Sequence, residues 1–292
     1  MRVVSDPELT FTTQIRTAAA LLADAGVPSP EADAVALAAY LLASEPEQVR
    51  RRMILGERAG EDFADRFRGL VAERAQRVPL QHLTGVAHFR RLALRVGPGV
   101  FVPRPETELV AQAAIDAARV CEAPLVVDLC TGSGAIALAV KDEVPQAQVV
   151  AVEIDPLAFG WASANRSQSG LDVELVQADA ATALAHLDGQ VDVVVSNPPY
   201  IPTGMVPIDP EVRDHDPDVA LYGGSADGLR IPEQVAARAA GLLRAGGVLV
   251  MEHADTHGEL LPQRLAATGR WTHVADHRDL NDRARFVTAE RR

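Results

Sequence analysis

The stretch Val126-Val127-Asp128-Leu129-Cys130-Thr131-Gly132-Ser133-Gly134-Ala135-Ile136-Ala137 constrains this chain more than any other. An apolar strand runs into a glycine turn and continues directly into a helix. Bare glycines let a backbone approach a ligand closely, and the start of a helix aims free N–H groups at it. The residues that follow repeat the alternation. Strands are expected at Leu125–Leu129, Val149–Glu153, Val173–Ala178, Val191–Ser196, Val248–Glu252, Trp271–Ala275 and Arg285–Thr288. Helices are expected between them at Ala135–Val144, Leu157–Gln168, Pro232–Arg244 and Glu259–Ala267. Repeated βα units predict a parallel, doubly wound sheet. The last two strands have no helix between them, so an antiparallel pair at one edge is expected.

Upstream the pattern differs. Residues 1–84 read as helical, with Ser29-Pro30 as an N-cap and first-turn pair. Phe63, Phe67, Leu70 and Val71 form one apolar stripe on a helix from about Glu61 to Arg77. Arg50, Arg51, Arg52, Arg66, Arg68, Arg74 and Arg77 make this part locally basic, as either a solvated helix face or a docking surface. From His88 to Val102 the period is two, and Gly97-Pro98-Gly99 reads as the turn of a β-hairpin. Glu106 to Val120 is again helical. The expected organisation is a helical substrate-recognition domain over 1–84, a hairpin linker over 85–108 and a catalytic domain over 109–292. A length of 292 residues agrees with two domains.

Composition excludes several classes. Lys+Arg number 28 against 40 Asp+Glu, a net charge of −12, the opposite of the footprint of a protein that grips nucleic-acid phosphates. The apolar runs are shorter than the ~18 residues of a membrane span. The opening MRVVSDPELTFTTQ lacks the apolar core of a secretory leader. Cys121 and Cys130 are too few for a disulfide framework or a structural zinc site. A cytoplasmic protein acting as a monomer, without membrane or direct nucleic-acid contact, is expected.

The glycine turn implies a nucleotide-like ligand. Gly132, Gly134 and Ala137 satisfy the dinucleotide fingerprint, with Glu153 at the distance of a ribose-binding acid. Spacing alone does not separate a nicotinamide dinucleotide from S-adenosylmethionine. Asp128 tips the balance toward the latter, because a carboxylate at the mouth of the strand would repel a pyrophosphate and favour a ligand carrying an ammonium and a sulfonium. Glu153 and Asp155 compete as the ribose acid. Glu153 ends its strand, whereas Asp155 precedes Pro156 and suits a helix cap, so the ribose is assigned to Glu153. Asp179 ends the next strand, either as an adenine neighbour or as another cap.

Val193-Val194-Val195-Ser196-Asn197-Pro198-Pro199-Tyr200 is the most specific stretch. Two prolines stiffen the loop and carry no N–H, so its carbonyls are free to accept from a ligand. A planar –NH2 nucleophile has a delocalised lone pair and needs orientation. The Asn197 side-chain oxygen and the Pro198 carbonyl supply two acceptors, and Tyr200 a flat surface. Asn197, Pro198 and Tyr200 are the candidate catalytic residues. Glu252-His253 and His257 do not complete a metal site, for want of a third ligand.

Together these residues resemble the amino-group methyltransferases of the class I S-adenosylmethionine fold. More narrowly, the chain resembles the protein-(glutamine-N5) methyltransferases that modify peptide chain release factors. Further stretches carry the same likeness: Pro79-Leu80-Gln81-His82-Leu83-Thr84-Gly85, Phe101-Val102-Pro103-Arg104-Pro105-Glu106-Thr107-Glu108, Ala226-Asp227-Gly228-Leu229 and Arg283-Ala284-Arg285-Phe286-Val287. The resemblance implies a Rossmann-like doubly wound α/β sheet with an antiparallel edge strand and a small N-terminal helical domain. It implies that S-adenosylmethionine lies on Asp128, Cys130, Thr131, Gly132, Ser133, Gly134, Glu153, Asp179, Ala180 and Asn197. The target glutamine, in the Gly-Gly-Gln loop of a class I release factor, would lie on Asn197, Pro198, Pro199 and Tyr200. Cys130 stands where many relatives carry glycine, and Ala180 where some carry an aromatic. Arg104 is a candidate for the cofactor mouth, and capping accounts for Thr107 and its neighbouring acids. The competing functions are a glutamine methyltransferase of a ribosomal protein, an adenine-N6 methyltransferase of nucleic acid and a non-catalytic S-adenosylmethionine-binding regulator.

Overall fold

The computed structural model describes residues 10–292, so the leaderless reading of the N-terminus falls largely outside the described residues. The chain divides into two compact units, one holding the residues up to Gly85 with Ile208–His215, the other Val86–Pro207 with Asp216–Arg292.

The first unit contains α1 (Phe11–Asp24), α2 (Pro30–Leu41), α3 (Pro46–Ile54), α4 (Glu61–Ala75) and α5 (Leu80–Thr84). Ile15, Leu22, Leu37, Val49, Phe67 and Val71 form its core, with Phe63 and Leu70 packed at the margin, as the stripe on α4 requires. Ser29 precedes Pro30 but its side chain makes no capping bond; the fixed φ of the proline starts α2 instead. Arg74 and Arg77 are not surface residues for docking. Arg74 is 5% exposed and pairs with Asp33 at 2.7 Å and with Glu211 at 2.8 Å. Arg77 grips the same Glu211, donating from Nε at 2.7 Å. Glu211 belongs to a short helix, Pro210–His215, that comes from the far half of the sequence. By contrast Arg50, Arg66 and Arg68 pair with carboxylates on their own helices, the arrangement of a solvated face.

The second unit opens with β1 (Val86–Phe89) and β2 (Leu92–Arg95), an antiparallel hairpin. Its turn is Arg90-Arg91, with Arg90 at φ 52°, and not Gly97-Pro98-Gly99. The Gly97–Gly99 segment lies beyond the hairpin against a helix, where Trp161 Nε1 donates to the Pro98 carbonyl at 3.2 Å. Then follow α6 (Thr107–Arg119), β3 (Leu125–Leu129), α7 (Ala135–Glu143), β4 (Gln148–Glu153), α8 (Pro156–Ser169), β5 (Val173–Gln177) and β6 (Val191–Ser196). After α9 (Pro210–His215, in the first unit) and α10 (Asp218–Leu221), the chain continues as α11 (Arg230–Leu242), β7 (Leu243–Glu252), α12 (Leu260–Ala267), β8 (Trp271–Arg278) and β9 (Ala284–Arg291).

Seven of the described strands form one sheet in the order β5-β4-β3-β6-β7-β9-β8. The pairs from β5 through β7 are parallel, and β9 runs antiparallel between β7 and β8. Val193 and Val195 enter the core under α6 and α7, while Val194 enters the core under α11 and α12. Both faces are covered, so these strands read as unbroken apolar runs. The chain winds outward from β3 in one direction through β4 and β5, then returns to place β6 on its other side. The direction therefore reverses between β3 and β6, and a crevice opens outside their carboxyl ends.

Candidate active site

The glycine turn and the Asn-Pro-Pro-Tyr loop leave the sheet at this reversal point, from β3 and β6 respectively. Cys130, the first residue past β3, has φ 65°, a left-handed conformation that glycine adopts more readily. The turn thus holds a side chain in a strained position, and burial pushes the Cys130 thiol well above the usual range. Gly132 has φ 57°, and a Cβ built on it would meet nothing within 4 Å. That position is an open cradle of backbone.

Asp128 is fully buried, beneath the turn and not at its mouth. Its Oδ2 accepts from Thr131 Oγ1 at 2.6 Å and from the Ala137 N–H at 3.1 Å, tying the turn to the start of α7. Its Oδ1 is buried without a hydrogen-bond partner. Burial raises the carboxyl to about 7 against the pull of those two bonds, with the Glu153 charge adding to the rise. A cationic ligand above the turn would favour the ionised form.

Glu153, at the end of β4, accepts from the Gly132 N–H at 2.8 Å and from the Ile154 and Asp155 N–H groups, each at 2.9 Å. It therefore holds the glycine turn. About four lone-pair sites on a carboxylate leave one for a ribose hydroxyl. Asp155 caps α8, accepting from the Leu157 and Ala158 N–H groups. Asp179 accepts from the Ala181 N–H at 2.8 Å, and Ala180 is packed in the core with Val150 and Val152. Asn165 on α8, absent from the sequence-based candidates, donates to the Ser133 carbonyl at 2.9 Å and to the Arg95 carbonyl at 3.0 Å.

The Asn197–Tyr200 loop is held from three directions. Asn197 is half-buried, and its Nδ2 lies 3.4 Å from Thr107 Oγ1. Thr107 donates to Glu252 Oε2 at 2.7 Å, and Tyr200 donates to Glu252 Oε1 at 3.2 Å. Burial raises Glu252 to about 7, against Thr107, Arg285 and Tyr200, which favour its ionised form. From below, Gly228 packs so tightly that a Cβ there would lie 2.2 Å from the Tyr200 carbonyl oxygen. Asp227 secures that glycine's turn through Ser225 at 2.6 Å and Arg264 at 2.6 Å. Arg104 is tied to its own neighbourhood. It lies over the Phe101 ring and pairs with buried Asp216 at 2.8 Å. His253 and His257 are buried with ring nitrogens on the carbonyls of Ala254 and Asp227. Among the described residues, no three His, Cys, Asp or Glu side chains converge as metal ligands.

Comparison with known proteins places this geometry in a family. Residues 98–206 match the methyltransferase small domain, and residues 14–85 match the PrmC N-terminal domain. The release factor glutamine methyltransferase of Streptomyces coelicolor is 51% identical, over 95% of this chain and 97% of that protein. The chain belongs to the release factor glutamine methyltransferase family. The family member from Bifidobacterium longum is 45% identical over 96% of this chain and 99% of its own length. That from Deinococcus radiodurans is 42% identical, with 94% and 96% covered. A member of this family is an S-adenosylmethionine-dependent enzyme. The residues present fit that cofactor: an open backbone cradle at Gly132, a carboxylate with a spare acceptor site at Glu153 and the unpartnered Asp128 oxygen beneath.

Proposed function

We propose that this enzyme methylates the side-chain amide nitrogen, N5, of the glutamine in the Gly-Gly-Gln loop of class I peptide chain release factors. The observation that carries this reading is an Asn-Pro-Pro-Tyr loop beside the nucleotide crevice, in a chain matching release factor glutamine methyltransferases along nearly its whole length. S-adenosylmethionine supplies an electrophilic methyl group on a sulfonium. Backbone groups from Cys130 to Gly134 hold the cofactor's methionine part, and Glu153 its ribose. The Asn197 side-chain oxygen and the Pro198 carbonyl accept the two N–H groups of the target amide. That fixes the nitrogen's direction and stabilises positive charge as it develops there. The proton leaves to water after that charge appears, so no strong base is required. Tyr200 packs on the planar amide.

The N-terminal helical unit serves recognition of the release factor, since the turn, the ribose acid and the catalytic loop all belong to the other unit. The enzyme works as a cytoplasmic monomer without direct nucleic-acid contact. Its net charge of −12 favours the absence of nucleic-acid contact. No helix among the described residues is long and apolar enough to cross a membrane. The test is to offer labelled S-adenosylmethionine with release factors, ribosomal proteins and DNA, then map the methylated residue. Label on the release-factor glutamine is expected. Label confined to a ribosomal protein or to DNA would overturn the substrate assignment.

A further inference from the structure

We propose that Thr107 and Glu252 are positioning residues that fix which end of the Asn197 amide meets the substrate. The proposal deepens the function given above and rests on it. Its basis is hydrogen-bond direction. An ionised carboxylate only accepts, while a hydroxyl has one hydrogen and two lone pairs. Glu252 is 2% exposed and takes hydrogens from both Thr107 at 2.7 Å and Tyr200 at 3.2 Å. Arg285, held by Asp279 at 2.9 Å, favours the ionised state of Glu252.

Once Thr107 has given its hydrogen to Glu252, only its lone pairs remain for Asn197. The group of Asn197 that faces Thr107 must then be the –NH2, and the contact is Nδ2 to Oγ1 at 3.4 Å. The two ends of a side-chain amide diverge from one carbon, so anchoring Nδ2 aims Oδ1 elsewhere, toward the acceptor role in the crevice. The reversed amide would set a donor against the donor N–H of a glutamine and lose the hydrogen bond. Glu252 thus governs two parts of the loop with one buried charge: the orientation of Asn197 through Thr107, and the place of the Tyr200 ring directly. These residues lie at the start of α6, the end of β7 and the catalytic loop. Neither Thr107 nor Glu252 lies within any sequence motif containing Asn197.

The full-length protein at pH 8, with S-adenosylmethionine and release factor, tests the relay. Thr107→Val keeps the side-chain shape without the hydroxyl and is expected to lower kcat about 10–100-fold, the scale of a misdirected catalytic group. Calorimetric affinity for S-adenosylmethionine should stay within about twofold. Thr107→Ser should restore kcat to within about threefold of wild type. In an Asn197→Ala background, Thr107→Val should cost nothing further, because the relay acts through Asn197. The Asn197 side-chain –NH2 signals in 15N spectra, identified by their absence in Asn197→Ala, should move in Thr107→Val and stay in Thr107→Ser. Wild-type turnover in Thr107→Val, multiplied losses in the double variant or unmoved Asn197 signals would each overturn the relay. If Thr107→Val does not fold, Glu252→Gln decides, since a glutamine can accept only one of the two hydroxyls; full activity there overturns the proposal. A wild-type enzyme that leaves release factor unmethylated would instead refute the function, and the Asn197 signals would still decide the relay.

Discussion

Glu211→Gln is expected to cost the protein about 3 kcal/mol. Burial by itself would raise the Glu211 carboxyl, but hydrogen bonds from Arg77 and Arg74 hold it at about 2, against an ordinary 4.5. That difference corresponds to about 3 kcal/mol of stability at neutral pH. It agrees with the roughly 3–5 kcal/mol lost when one member of a buried ion pair is removed. The glutamine keeps the shape of the side chain and leaves the buried Arg74 and the largely buried Arg77 without the shared negative charge. The folded value lies below the ordinary one, so the contribution is complete above pH 4.5 and is lost as pH falls toward 2. In urea unfolding at pH 7, followed by circular dichroism, a slope of roughly 2–3 kcal/mol per M turns this cost into a midpoint about 1 M lower. The gap between variant and wild type should shrink by pH 3. A midpoint shift below about 0.2 M at pH 7 would refute the account of Glu211 as the anchor of Ile208–His215.

Asn197→Ala should lower turnover about 10²–10³-fold with S-adenosylmethionine affinity retained, as kinetics and calorimetry on one preparation would establish. Glu153→Ala should weaken S-adenosylmethionine binding by about 1–3 kcal/mol, through the lost ribose bond and the loosened Gly132 turn; unchanged affinity would move the ribose to backbone groups. Gly228→Ala would set a Cβ 2.2 Å from the Tyr200 carbonyl at a position with φ 75°, so kcat should collapse with a lowered melting temperature. Activity should fall as pH drops through about 7, where Glu252, facing Thr107, Tyr200, Arg285 and Glu106, takes up a proton. That acid limb should be missing in Glu252→Gln.

The sheet was legible because its signals are local. Glycines at Gly132 and Gly134, apolar runs such as Val193–Val195 and the stiff Pro198-Pro199 pair each dictate backbone conformation over a few residues. The observed strands begin and end near the expected points, with the largest difference at β7. It starts at Leu243 instead of Val248, because Leu243 pairs with Val191 before a register shift that β7 takes up with extra residues. The period-two pattern predicts the hairpin, but the chain turns at Arg90-Arg91 and not at Gly97-Pro98-Gly99. Arg90-Arg91 carries no turn residue of the usual kind, while Gly97 and Gly99 advertise a turn and instead allow close packing on Trp161 and Leu157.

The sequence by itself determined the βα order, the glycine turn, the acid at the end of β4 and the loop that carries Asn197, since each is written in adjacent residues with its own backbone demands. Tertiary structure alone decided which charges are spent inside and which face solvent. Arg74 and Arg77 look like Arg66 and Arg68 in sequence, yet the first two close on Glu211, more than 130 residues away, and the others pair along their own helix. Thr107 and Glu252 likewise look like a cap and a strand end until β7 and α6 bring them together at 2.7 Å beneath Asn197. A buried polar group must find its partner wherever the fold supplies one, and that partner's place in the chain is set by packing, which no local pattern records.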